Sequence, residues 1–329
     1  MTDTVRDATI SCKDLVRIYS SEGVEVQALQ GLNLFVDNGE FVAIVGESGS
    51  GKSTLLGILS GLDSPTAGSA TVAGRRLGSL SRQQKTDYLR SGVGFVWQQT
   101  GRNLLPYLDT AENVAVPLLL AGASAEDRGR RVSELLDLLE ISHVAHRRPA
   151  DMSGGELQRV AIAIALANSP SVLLADEPTG ELDESTSAEV LESMRSVNRE
   201  LGITTLIVTH DATVSEHVGR TVQIRDGRTS SEVLRTSQSG SFIDQQVAAE
   251  SFTVIDSLGR LQLPAEYVRD LELRDRVRLS LEDDHVGVYP GTSGAHRGAP
   301  HPGRHSKSAD ESAPAESAAE DSSTEGDTA

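Results

Sequence analysis

The sequence predicts an α/β fold: a mostly parallel sheet flanked by helices, a helical arm inserted into it, and a small β-rich segment after it. Three observations carry that prediction. Short β-rich runs, "EFVAIVG", "VGFVW", "SVLLAD" and "TTLIVTH", alternate with helical patterns over residues 1–230. The last two runs are nearly continuously apolar, as parallel strands covered on both faces must be. A glycine-rich stretch, "GESGSGKST" at residues 46–54, sits between a strand-like "FVAIV" and a helical "LLGILSGL".

That stretch fits G-x-x-x-x-G-K-[ST] in the strand–loop–helix context of a phosphate-binding P-loop. Gly46, Gly49 and Gly51 let the backbone curl so that its N–H groups face phosphates. Ser50 and Thr54 complete the loop. Lys52 is expected to neutralise the β- and γ-phosphates of a nucleotide, and Ser53 to ligate Mg²⁺.

The helical arm spans about 100–168. Its stretch "SAEDRGRRVSELLDLLE" opens on a capping-box pattern, Ser124 with Asp127, and repeats apolar Val132, Leu135, Leu136 and Leu139 at helical spacing. Further on, "MSGGELQRVAIAIAL" at 152–166 places Ser153, Gly154 and Gly155 before a long apolar helix. Such a turn offers free N–H groups and a positive dipole end, so it is a second phosphate grip far from the first. After the arm, "SVLLADEPTG" ends an apolar strand in two carboxylates. Asp176 is placed to hold Mg²⁺, and Glu177 to orient or deprotonate an attacking water. His210 closes "TTLIVTH" and Gln98 follows "GFVW"; on their own both read as ordinary structural residues.

The polar stretch "TSSEVLRTSQSGS" marks a linker, taken over 231–249. Residues 250–290 then read as short strands around one short helix, too few for a self-sufficient core, so a second copy or the main domain should cover them. From 291 to 329 the composition is that of a disordered acidic tail. The net charge of −18 argues against nucleic acid as a partner, and the single cysteine, Cys12, excludes an internal disulfide. The start "MTDTVRDATI" lacks a signal-peptide pattern and no apolar stretch is long enough to span a bilayer. The expectation is a cytoplasmic protein without direct membrane insertion.

Taken together, "GESGSGKST", Gln98, "MSGGE", "LLADEPTGELD" and His210, in that order, resemble the ATPase subunit of ABC transporters over residues 1–230. The resemblance implies an ATPase using ATP and Mg²⁺, in which two copies pack head to tail. Ser153, Gly154 and Gly155 of one copy then close on the nucleotide held by the P-loop of the other. It assigns Tyr19 to adenine stacking, Gln98 to Mg²⁺ and coupling, His210 to the γ-phosphate, Glu177 to catalysis and Asp183 to contact across the dimer. "VQALQGLNLFVDNGEFVAIVGESGSGKSTLL" and "NLLPYLDTAENVAVPLLLAG" look most like the lipoprotein-release and macrolide-export branch. That branch drives a separate permease with few membrane spans and large external domains, which would make the chain peripheral on the inner face of the membrane. Met152 stands where leucine is usual, Ile164 where arginine is common, and "WQQTGRNLLP" carries extra residues. The segment "VIDSLGRLQLPAEYVRDLELRDRVRLSLEDDHV" resembles an AbrB-like swapped-hairpin domain, which implies dimerisation. Two alternatives stay open at this point: a soluble ABC-type ATPase in translation or DNA repair, and a regulator using the C-terminal hairpin.

Overall fold

A computed structural model describes residues 8–21, 23–237, 247–256, 258–274 and 276–291. The chain runs β1 (Ala8–Ser21), β2 (Val24–Asp37), β3 (Phe41–Val45), α1 (Lys52–Leu59), β4 (Ala67–Val72), β5 (Arg75–Arg76), α2 (Arg82–Asp87) and β6 (Val93–Val96). The arm follows as α3 (Thr110–Leu120), α4 (Ala125–Leu138) and α5 (Gly154–Leu166). Then come β7 (Val172–Asp176), α6 (Glu184–Leu201), β8 (Thr204–Thr209), β9 (Arg220–Arg225), β10 (Arg228–Ser237), β11 (Val247–Thr253), α7 (Ala265–Asp270), β12 (Val277–Leu281) and β13 (Val286–Pro290). None of the described helices is long and apolar enough to cross a membrane.

The main sheet has the order β11-β10-β9-β3-β8-β7-β6. From β9 to β6 every pairing is parallel, while β10 and β11 are antiparallel additions. A second, antiparallel sheet has the order β2-β1-β4-β5. Strand side chains alternate between faces, so the buried parallel strands divide their apolar residues between two cores. Ala43, Leu173, Ala175 and Ile207 join the arm and α6 in one core. Val42, Ile44, Leu174, Leu206 and Val208 join α1 and the second sheet in the other.

The arm departs after β6 and returns at β7, two adjacent strands, so it is inserted without breaking the ladder. Its helices have clear starts. Asp109 and Glu112 form a full capping box on α3. At α4 the box is half made: Ser124 accepts the Asp127 N–H, but the shorter Asp127 carboxylate takes the serine hydroxyl rather than its N–H.

Two expected boundaries move. Where it is described, the stretch anticipated as a linker is strand: β10 runs to Ser237 and β11 begins at Val247, paired from Ser231↔Thr253 to Ser237↔Val247. Its hydroxyl residues suggested a loop, yet they bond within the fold. Thr229 donates to the Asn33 carbonyl at 2.6 Å, Ser230 to the Gln223 carbonyl at 3.1 Å, and Ser231 lies 2.8 Å from the Gln223 amide oxygen. The described residues also divide into compact units between Asp270 and Leu271 rather than at 250. The second unit is a β12–β13 hairpin, paired Val277↔Pro290 through Leu281↔Val286. The anticipated tail beyond Gly291 lies outside the described residues.

Candidate nucleotide site

Residues 46–51 turn from the end of β3 into α1, and the turn is possible only with glycine at two positions. A Cβ on Gly46 would meet the Ile224 carbonyl oxygen at 2.3 Å. Gly51 has φ of 103° and a Cβ there would meet the Ala28 carbonyl oxygen at 2.5 Å. No side chain caps α1, so its first N–H groups and its positive dipole end are free for an anion. Lys52, the first residue of the helix, is 7% exposed. Its ammonium folds back onto the loop, donating to the Gly46 carbonyl at 2.8 Å and the Glu47 carbonyl at 2.9 Å. Burial lowers its pKa, opposed by the Glu177 and Asp176 carboxylates. The buried Ser50 hydroxyl has no described hydrogen-bond partner. A cavity of about 520 Å³ opens beside the loop, lined by residues 47–50, 223–226, 230–231 and 262–266.

The carboxylates reach the same sheet edge at the end of β7, where Asp176 pairs with Val208 of β8. Burial, then the neighbouring Glu177, push the Asp176 pKa up, and Lys52 opposes the shift. Asp176 and Gln98 line one cavity of about 310 Å³ with Glu181 and Arg102. Glu177 leaves the ladder with φ of 45°, its N–H still held by the Val208 carbonyl at 2.8 Å. Each of its oxygens has one partner. The Gln98 amide donates to Oε2 at 2.9 Å, and His210 Nδ1 lies 2.8 Å from Oε1. Gln98, Glu177 and His210, scattered in sequence, thus form one bonded cluster.

The residues fit a magnesium nucleotide. Among the described residues no three His, Cys, Asp or Glu side chains are grouped to hold a metal. The residues that would hold Mg²⁺ are the Ser53 hydroxyl, the Gln98 amide oxygen and Asp176, together with phosphate oxygens, an oxygen donor set that suits this hard cation. Bound there, it neutralises phosphate charge. Burial lowers the Lys52 pKa and raises that of Asp176, and each group's charge opposes the shift of the other.

The second grip lies at the start of α5. Ser153 is its N-cap, in a capping box with Glu156, and Ser153 and Gly154 are exposed. A Cβ on Gly154 would meet the Leu182 side chain at 2.9 Å and one on Gly155 would meet the Thr186 methyl at 2.6 Å, so the turn packs closely on these two side chains. That packing brings the turn beside Asp183. Asp183 N-caps α6, accepting from Thr186 N–H at 3.0 Å and from the Ser185 and Thr186 hydroxyls, bonds that hold its pKa well below the usual carboxylate range. No described hydrogen bond or ion pair joins this turn to residues 46–54. Tyr19 is set apart from both groups. Its hydroxyl donates to Asp63 at 2.8 Å, and the Arg17 guanidinium, itself paired with Asp63, covers its ring at 4.3 Å. Arg17, Asp63 and the supports of the Ser153 turn were not singled out from sequence, although Ser153 and Glu156 stand at the Ser-x-x-Glu spacing of a capping box.

The geometry defines a class: a P-loop nucleotide-binding fold with two strand-end carboxylates beside the loop and a separate, exposed Ser-Gly-Gly helix start. Comparison with known proteins supplies the family. The profile described as "ABC transporter" matches residues 29–180. The lipoprotein-releasing system ATP-binding protein LolD of Geobacter metallireducens is 45% identical over 215 residues, 65% of this chain and 95% of that one. The macrolide export ATP-binding/permease protein MacB of Pectobacterium atrosepticum is 45% identical over 213 residues, 65% of this chain but 32% of that protein. Among solved structures, the dimeric bacterial ABC transporter cassette MJ0796 matches with TM-score 0.61 and 39% identity over 68% of this chain and 97% of that one. Its post-hydrolysis dimer bound to ADP and Pi matches equally well, at TM-score 0.61 and 38% identity over 68% of this chain and 97% of that one. The chain belongs to the ABC transporter ATP-binding family. It is an ATP-binding, ATP-hydrolysing subunit that works with Mg²⁺, and the reading as a soluble ATPase of translation or repair, or as a regulator, is not favoured.

Because an added methyl at Gly46 has backbone in its way, Gly46→Ala should weaken ATP binding by roughly tenfold or more, the scale of overpacking costs. Gly78→Ala, where the added carbon meets nothing within 4 Å, should bind as the parent does. Titration of both variants with a fluorescent ATP analogue checks this; equal affinities would refute the cradle geometry.

Proposed function

We propose that two copies of this chain clamp ATP between them, the P-loop of one facing Ser153, Gly154 and Gly155 of the other, and that this closure drives a separate membrane permease. The observation that carries the reading is the exposed turn at Ser153, ordered and anion-ready yet bonded to nothing in its own P-loop. The relatives' printed names, a lipoprotein-releasing system and a macrolide exporter, support a reading of export or release, with this chain held at the inner face of the membrane through its partner.

In that sandwich the α1 N-terminus and Lys52 hold the β- and γ-phosphates, and the partner's serine and glycines complete the γ-phosphate cage. Water attacks the γ-phosphorus as the bond from that phosphorus to the β–γ bridging oxygen breaks and ADP leaves, and the water's proton passes toward the Glu177 carboxylate, which Gln98 aims. Once phosphate binds, His210 can turn from Glu177 to a γ-oxygen. Tyr19 offers its remaining ring face to adenine, and Asp183 meets the partner at the rim of the closed dimer. Glu177→Gln keeps the cavity but removes the base, so ATP binding should persist while turnover falls about 10²–10⁴-fold. ATP should then accumulate a dimer visible by gel filtration. Wild-type turnover in this variant would refute the assignment.

The permease would dock in a half-open groove of about 250 Å³ between the main sheet and the arm, lined by Leu62, Leu89, Trp97, Pro117 and Ile164. Leu62 is 50% exposed, and Ile164 gives the groove an apolar wall. The chain should co-purify from membranes with a few-span protein bearing a large external domain, and Leu62→Asp should release it. Retention of the complex by that variant would exclude the groove.

The segment after β10 serves to hold two subunits together. Leu279 and Leu281 of its hairpin are 65% and 85% exposed, and an isolated two-stranded hairpin is marginal in water. Truncation from residue 271, which removes the hairpin and spares the cavity lining at 262–266, should weaken nucleotide-free self-association and leave ATP affinity unchanged. Sedimentation identical to the full chain would rule this role out.

A further inference from the structure

We propose that His143 is a positioning residue for the phosphate grip at Ser153, acting through Glu156; the inference rests on the ATP-sandwich reading above.

Glu156 is the hub of this turn. Its Oε2 accepts both donors of Ser153, the N–H at 2.8 Å and the hydroxyl at 2.9 Å, while the Ser153 oxygen accepts the Glu156 N–H at 3.3 Å. Its Oε1 takes cationic or N–H partners instead: His143 Nε2 at 2.9 Å and an Arg147 guanidinium nitrogen at 3.9 Å. An N-terminal capping box requires only the first set of bonds. His143 is extra, supplied by the separate helical turn Ser142–Val144, and its side chain is 56% exposed against 15% for Glu156. The serine's N–H, then His143 and the serine hydroxyl, hold the Glu156 carboxyl below the usual carboxylate range against its partial burial.

A serine hydroxyl has one proton. Here that proton points at Glu156, so Ser153 can donate it to a phosphate oxygen only by turning away from the carboxylate. How readily it turns depends on how strongly Oε2 holds it. A donor or cation on Oε1 draws charge from the carboxylate and weakens that hold. Because Ser153 serves the nucleotide of the opposite subunit, His143 acts on association rather than on ATP capture by a single chain. The Ser153 N–H bond to Glu156 is untouched by this rotation, so the helix start stays capped throughout.

The test uses full-length chain in the Glu177→Gln background, with ATP-dependent dimerisation read by analytical ultracentrifugation and single-chain ATP affinity read at high dilution. Adding His143→Ala should weaken the ATP-loaded dimer roughly five- to tenfold, since two symmetry-related pairs of modest surface strength are lost. Single-chain affinity and the melting temperature should stay unchanged. His143→Arg, which keeps a cationic donor, should restore the dimer, whereas His143→Leu should not. Unaltered dimerisation in the alanine variant, or equal rescue by arginine and leucine, would overturn the role of His143. If Glu177→Gln alone formed no dimer with ATP, the sandwich reading itself would fall, and this inference with it.

Discussion

In-register parallel pairing of β3, β8, β7 and β6 is the constraint on which the rest depends. Parallel strands end on the same edge, so the ladder sets Val45 beside Thr209, Asp176 beside Val208 and Val96 beside Ala175 at one end of the sheet. The residues that follow each of them are the chemistry: the P-loop after β3, His210 after β8, Glu177 after β7 and Gln98 just beyond β6. A slip of one residue in any pairing would turn a core side chain to the opposite face and carry a site residue out of reach. The two apolar cores, one against the arm and α6 and the other against α1 and the second sheet, fix the register from both sides.

The edge so built is polar and partly desolvated. Lys52 is satisfied by carbonyls of its own loop, while Glu177 is held between an amide and an imidazole. These bonds keep the groups oriented in the free cassette, and each is exchangeable for a phosphate or a water at little rearrangement. The turn at Ser153 follows the same logic at a distance, with Glu156 occupying the donors that a phosphate would take. An inserted arm is the economical way to carry that turn, because it leaves the sheet between two neighbouring strands and disturbs no ladder bond.

Much of this was legible in the sequence because the chemistry is local. A P-loop must have glycine where Gly46 and Gly51 stand, and an apolar run ending in Asp176 and Glu177 announces a buried strand meeting solvent. The Ser153 turn was visible from its Ser-Gly-Gly run and the helix behind it. What stayed hidden depends on long-range partners. His210 and Gln98 read as bland until the fold set both on Glu177. Tyr19 gave no sign of Asp63, which comes from 44 residues further along the chain and ties both Tyr19 and its strand neighbour Arg17. The hydroxyl-rich run around 229–237 looked like linker by composition, although its side chains bond to Asn33 and Gln223 and it extends the sheet. Family resemblance supplied the head-to-tail arrangement, which no spacing within one chain could show.

The central claim is that hydrolysis needs two chains, since each P-loop is completed by the other chain's Ser153 turn. It is tested most directly by measuring turnover per chain at saturating MgATP across a dilution series, with molecular mass followed in parallel. The account predicts that turnover per chain falls together with the dimer fraction. Turnover that stays constant down to concentrations where every chain is monomeric would contradict it.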